Sequence, residues 1–261
     1  AMKIAQYDTD ITDDQWKLLK KELPTPNKMG RPPTDRRVVI DAIFYVLKGG
    51  IQWRLLPESF PAWKTVYHIF RQWSRDHTLE RLNGVLRNKV RAQADKRWQP
   101  TAAILDSQSV KSDSHGGEVG YDAGKRIKGR KRHILVDTLG LLLGVAITPA
   151  DMPERAGART LLGRILKTFT WLRKMWVDGG YTGQEFAQWV KGQRPNLEVE
   201  VVKRSDDVSG FEVLPRRWVV ERTFGWLMRH RRLVRDYEKT ETSAAAWVYF
   251  AMIRIQLRRL A

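Results

Sequence analysis

The chain has 261 residues, 42% hydrophobic and 10% aromatic, enough to bury a core in one or two domains and too apolar for a disordered chain. Its 47 Lys and Arg against 29 Asp and Glu give a formal charge of +18, a field that suits a polyanion. It has no cysteine, which excludes disulfides, cysteine-held zinc and thiol nucleophiles.

The chain opens polar, from Ala1 to Asp10, without a signal-peptide pattern. Capping residues at Asp10–Gln15 precede Trp16, Leu18, Leu19 and Leu23, which predicts a helix that Pro24 ends. Lys28–Pro33 reads as a Gly/Pro linker. Thr34 or Asp35 then caps a helix carrying Val38, Val39, Ala42, Ile43, Tyr45, Val46 and Leu47, stopped by Gly49-Gly50. Trp53–Pro57 reads as irregular. Pro61 or Ala62 begins a third helix, because proline suits a first turn. A fourth runs from about Leu79 to Ala94.

In the third helix Trp63, Val66, Ile69, Phe70 and Trp73 form an apolar side. Lys64, His68, Arg71 and Arg75 recur at steps of four, three and four and line an opposite stripe. A helix, a tight connection and a basic amphipathic helix resemble a helix-turn-helix module that contacts DNA. A solvated face on an ordinary bundle helix is the plainer reading.

After about Gln99 the pattern changes. Thr101–Leu105 is a short apolar run ending in Asp106. His133–Val136 and Leu141–Ile147 read as strands joined by a turn at Asp137–Gly140. Arg155–Phe169 reads as a helix, Lys174–Val177 as a strand ending at Asp178, Gly183–Lys191 as a helix and Leu197–Val202 as a strand. Arg216–Arg231 and Ser243–Leu260 complete the helices. Strands first and helices interleaved later give a mixed α/β domain over residues 97–261, behind an all-α region over 1–96. The longest apolar stretch, Ile134–Ile147, contains Asp137 and Thr138 and falls short of the roughly 20 residues that span a bilayer. A soluble, cytoplasmic protein is expected.

Three acids stand out by position. Asp106 and Asp178 each follow an apolar run and are expected at or near strand ends, where ligands of open α/β sheets bind. Glu221 sits among Val220, Phe224 and Leu227, near a buried surface where a carboxylate is costly unless paired or metal-bound. Hard divalent cations take such oxygen ligands, and two of them about 3.5–4 Å apart serve phosphoryl transfer. By spacing alone, a strand-end Asp is more often a turn or cap residue.

The motifs Ile104-Leu105-Asp106-Ser107-Gln108-Ser109-Val110-Lys111, Val177-Asp178-Gly179-Gly180-Tyr181 and Arg217-Trp218-Val219-Val220-Glu221-Arg222-Thr223-Phe224-Gly225-Trp226-Leu227 resemble the three signatures of bacterial insertion-sequence DDE transposases. They are most similar to insertion sequence family five. The segment Gly120–Lys125 with Gly129–Asp137, and Trp53–Pro57 with Trp63, are similar to that family too, in order along nearly the whole chain. The resemblance implies an RNase H-like mixed sheet with flanking helices, and Asp106, Asp178 and Glu221 as the catalytic, metal-binding triad. It also implies Mg2+ or Mn2+ as cofactor, two ions per site. The expected activity is DNA cleavage at element ends, then strand transfer to target DNA, by a homodimer or larger assembly in bacterial cytoplasm, at the nucleoid. The related signature around the Glu carries Tyr, Arg, Glu and Lys. Here Arg217 stands four before Glu221, the Tyr position holds Leu214, and the Lys position holds Met228 followed by Arg229.

Double-stranded DNA is the partner this charge suits, because phosphates dominate affinity and glycine allows close backbone approach. A membrane surface is the competitor, disfavoured because the cations are spread along the chain. Besides the α-helical stripe, the expected DNA contacts are Lys111, then Lys125, Arg126, Lys128, Arg130, Lys131 and Arg132 with Gly124 and Gly129 among them, for which a solvated loop is the plainer alternative. Arg217, Arg222, Arg229, Arg231 and Arg232 around Glu221 complete them. Arg217 and Arg222 serve equally well to orient the Glu or to hold a phosphate. His115 reads as a loop residue and not a catalyst.

Overall fold

Local chemistry starts and stops the helices of the first half. The structure, a computed structural model, describes residues 6–25, 32–113, 117–202 and 217–261; His115, Leu214 and most of the 28–33 linker lie outside these. Helix α1 (Asp13–Lys20) opens on a capping box, in which the Gln15 N–H donates to Thr12 Oγ1 and the Thr12 N–H to Gln15 Oε1, each at 3.2 Å. Helix α2 (Arg36–Gly49) is capped by Asp35, which accepts from the Arg37 N–H at 2.8 Å. It ends where Gly50 adopts φ +71°, a conformation open to glycine.

Helix α3 (Trp63–Trp73) buries Val66, Ile69, Phe70 and Trp73. Lys64, His68, Arg71 and Arg75 are all exposed, Arg75 just beyond the helix end. Residues 50–62 join α2 to α3 with a 3-10 turn at Trp53–Leu55. The tight connection expected here is therefore replaced by a segment longer than the three or four residues of a helix-turn-helix. Packing explains the extra length: Trp53 folds inward to stack on Trp247, ring centroids 5.4 Å apart, and to meet Phe70 at 5.2 Å. Helix α4 (Thr78–Gln93) follows.

Six strands form one sheet: β1 (Ala102–Lys111), β2 (Gly120–Asp122), β3 (Ile127–Asp137), β4 (Leu142–Pro149), β5 (Lys174–Val177) and β6 (Glu198–Val201). Strand β3 lies antiparallel to β1 on one edge and to β2 and β4 on the other. Strands β5 and β6 extend the sheet from β1 in parallel. This is the RNase H-like mixed sheet with flanking helices that the resemblance implied. Helices α5 (Glu154–Ile165) and α6 (Gln184–Gln193) cover one face, and α7 (Trp218–Met228) and α9 (Glu241–Leu260) the other, with the short α8 (Arg231–Val234) between them.

Strand alternation separates two cores. Ala103, Leu105, Leu135, Met175 and Val177 pack toward α5 and α6, while Ile104, Ile134, Val136 and Trp176 join the core of α7, α9 and the N-terminal helices. Helix α9 is buried along most of its length and packs on α4, α2 and β4. The helices before residue 96 thus share one core with the sheet.

Three expectations need correction here, and one element was missed. Asp106 is in the middle of β1, not at its end, because the polar run Ser107–Lys111 keeps pairing with β3 as far as Lys111 and Gly129. The strand read from His133 begins six residues earlier, at Ile127, so most of the basic segment lies in strand β3. Gly129 is required there, since a Cβ would stand 2.0 Å from the Val110 carbonyl oxygen. Strand β2 has no counterpart in the sequence reading. The continuous helix expected over Arg216–Arg231 breaks at Arg229 and His230 into α7 and α8.

Candidate active site

Three elements bring the three acids together. Odd and even positions of a strand face opposite sides, so Asp106 shares the face of Ile104, toward α7. Asp178 follows β5 directly and caps a 3-10 turn, accepting from the Gly180 N–H at 2.9 Å. Glu221 lies in the first turn of α7 with its side chain 54% exposed, while Val220, Phe224 and Leu227 face the core. Its carboxylate is therefore at the rim of the site and not in a buried setting.

Arg217, immediately before α7, joins them. One guanidinium nitrogen lies 3.5 Å from Asp106 Oδ2, 3.7 Å from Asp178 Oδ2 and 3.8 Å from Glu221 Oε1. At these lengths the contacts are ionic and not good hydrogen bonds. Arg217 thus lies within ion-pair distance of all three acids. Among the described residues, no three acidic or histidine side chains close on a common point suited to an ion. Glu221 meets the other two through Arg217.

A fourth acid, missed in the sequence, is Glu154 in the first turn of α5. Its Oε1 accepts from Ser107 Oγ at 3.0 Å and lies 3.7 Å from Lys125 Nζ. A Cβ on Gly180 would stand 2.0 Å from Glu154 Oε2, so glycine there lets this carboxylate close against the turn that carries Asp178. The signal was available: Glu154 follows strand β4 and Pro153 at a helix start, but the helix was expected to begin one residue later, at Arg155.

The crowding is visible in proton affinity. Burial, joined by the charges of Asp178 and Glu154, pushes the Asp106 carboxyl up to about 6, against the Ser107 N–H and Arg217. Burial and then Glu154 raise Asp178 as well. The buried Tyr181 hydroxyl is raised well above its ordinary range, by burial first and then by Asp106, Glu154 and Asp178.

The basic residues divide. Lys111, Lys125, Arg126, Lys128, Arg229 and Arg231 are exposed. Arg130, Lys131, Arg132 and Arg232, expected at the DNA surface, are buried and bonded inside the fold, which removes them from it. Arg130 pairs with Asp236 at 3.3 Å, Arg232 with Glu238 at 2.5 Å, and Arg132 donates to the Leu233 carbonyl at 2.8 Å. Lys131 Nζ donates to the Met152 carbonyl at 3.0 Å. Arg222 is held at 4.3 and 4.5 Å over the Trp218 and Trp226 rings and donates to the Leu139 carbonyl, so it braces the β3–β4 turn.

Residues 97–255 match the family model described as a transposase DDE domain, and residues 11–83 match that of a putative transposase of the IS4/5 family. The chain is 32% identical over 117 residues to an uncharacterized 16.2 kDa protein of insertion element IS402 from Burkholderia cepacia, covering 42% of this chain and 78% of that one. It is 28% identical over 106 residues to the uncharacterized protein y4sN of Sinorhizobium fredii, covering 40% of this chain and 78% of that one. Among solved structures, the Mos1 transposase paired-end complex with left transposon end is 10% identical, with a TM-score of 0.27 over 90% of this chain and 81% of that chain, a likeness too low to carry weight. The family model alone spans more than half of the sequence, with Asp106, Asp178, Arg217 and Glu221 inside it: the chain belongs to the DDE transposase family, whose function is DNA transposition.

Proposed function

We propose that this protein binds the ends of an insertion sequence, cuts the DNA there by metal-dependent phosphoryl transfer, and joins the freed 3′ end to target DNA. The observation that carries this reading is the meeting of three carboxylates from β1, β5 and α7 around one guanidinium. Carboxylate oxygens are the donors that magnesium or manganese takes. A buried Asp106 and a half-buried Asp178, both held at raised proton affinity, are groups whose charged form needs a cation beside it. Asp106 and Asp178 would hold that cation pair, with Glu221 at the rim and Glu154 on the opposite side. Divalent cations bound there supply charge stabilisation to the attacking and leaving oxygens of the phosphodiester.

The remaining work falls to the chain's own groups. Arg217 turns from the carboxylates to a phosphate oxygen as DNA enters, and Lys125, beside Glu154, meets the same strand. Residues 1–96 carry the end-binding surface, on the exposed stripe Lys64, His68, Arg71 and Arg75, and residues 97–261 the chemistry. Two ends require two such sites, hence a homodimer or larger assembly, acting on double-stranded DNA in the bacterial cytoplasm. Among the described residues no helix is long and apolar enough to cross a membrane.

The test uses purified protein, an end-containing duplex and magnesium. Asp106→Asn is expected to abolish cleavage with end binding nearly intact, and Glu154→Gln to slow cleavage about 10- to 100-fold. Full cleavage by Asp106→Asn ends the site assignment. A strand-transfer assay separates this reading from a structure-selective nuclease, which would cut and never join.

A further inference from the structure

Three helix ends converge on a cavity of about 270 Å³ away from the carboxylates. Its lining brings together Lys48 at the end of α2, Arg229 at the end of α7, and Arg254, Arg258 and Arg259 in the last turns of α9, with no carboxylate among the lining residues. Lys48 Nζ donates to the Arg229 carbonyl at 2.9 Å, which uses one of its three protons. The negative ends of three helix dipoles amount to about half a charge each, well short of the five cations they face. The mismatch is felt by the groups themselves. Burial, then Arg254, Arg258, Arg229 and the adjacent Arg231, lower Lys48, and burial with Arg258 lowers Arg254 to about 10. A cluster of this kind is relieved by an anion.

We propose that this pocket binds the phosphate backbone of DNA, a second anchoring point separate from the carboxylate site. The backbone is favoured over a base, because the aromatic group in the lining, Trp226, already carries the Arg222 and Arg259 guanidiniums at 4.5 Å each and has little face left for stacking. Helix α7 fixes its distance from the chemistry. Arg229 follows Glu221 by eight residues, about 12 Å along a helix. That corresponds to about three or four base-pair steps, so the pocket grips duplex flanking the reacting phosphate. This inference rests on the reading of the protein as a DNA-processing enzyme.

The test is the salt dependence of binding to plain duplex DNA, without divalent metal and in an Asp106→Asn background, so that failure of the cleavage reading leaves the result intact. Arg254→Gln with Arg258→Gln should weaken binding on unrelated sequences alike and flatten the slope of log K against log salt by about two. Arg254→Lys with Arg258→Lys should keep the slope. If the first pair does not fold, Arg229→Gln with Arg258→Gln, both exposed, carries the same test. An unchanged slope overturns the proposal. So does inorganic triphosphate that binds the parent and is lost in the variant while DNA affinity stays the same, which would make the pocket a site for free polyphosphate.

Discussion

Asp106 is buried in the middle of a strand, 8% exposed, with two other carboxylates nearby. Its proton affinity therefore has a consequence for stability. An unfolded Asp titrates near 3.9, and this one titrates at about 6 in the folded chain. The folded state holds the proton more tightly, so stability from this group is full below about pH 4 and is lost as pH rises through 6. Two units of difference are worth on the order of 3 kcal/mol, roughly 6 °C for a chain of this size. Metal-free Asp106→Asn should consequently melt higher than the parent above pH 7, with the gap closing near pH 4. A gap of equal size at both pH values in thermal melts would contradict the assigned shift.

At the scale of elements, amphipathic order decides which cations are available. Helix α3 buries Val66, Ile69, Phe70 and Trp73 on one side and leaves Lys64, His68 and Arg71 exposed on the other, with Arg75 beyond its end. Strand β3 does the reverse: Arg130, Lys131 and Arg132 alternate between faces, but both faces are covered by helices or by the chain around Asp236 and Glu238, so all three are buried. Arg71→Ala with Arg75→Ala is therefore expected to weaken DNA binding and flatten its salt dependence by about two contacts. The measurement is anisotropy over a salt series, and an unchanged slope removes α3 from the interface.

For the whole molecule, α9 is the member that ties the halves together. Trp247 and Phe250 pack on Trp53 and Phe70 of the first half, and Gln256 Nε2 donates to Asn83 Oδ1 at 3.1 Å. Asn83 in turn donates to the Leu142 carbonyl of β4 at 2.9 Å, and Arg91 of α4 pairs with the fully buried Asp137 at 2.5 Å. A fragment of residues 1–96 lacks that packing. It is expected to keep helical circular dichroism but to melt without a cooperative transition, whereas the full chain melts cooperatively; a sharp transition in the fragment would show that it folds without α9.

The sequence by itself determined the elements whose signals are local. Thr12 with Gln15, Asp35 and Gly50 fix helix ends through bonds within a few residues, and Met175–Val177 is an apolar run that reads as a strand. The motifs around Asp106, Asp178 and Glu221 marked the family, since they are short and contiguous. Only tertiary structure decided which charges meet. Arg217 is four residues from Glu221 but reaches Asp106 and Asp178 because β1 and β5 are neighbours in the sheet. Glu154 joins them through Ser107, and Arg130 and Arg232 are withdrawn by Asp236 and Glu238. A charged residue reads the same in sequence whether water, an ion pair or phosphate surrounds it, because that environment is built by residues distant in the chain.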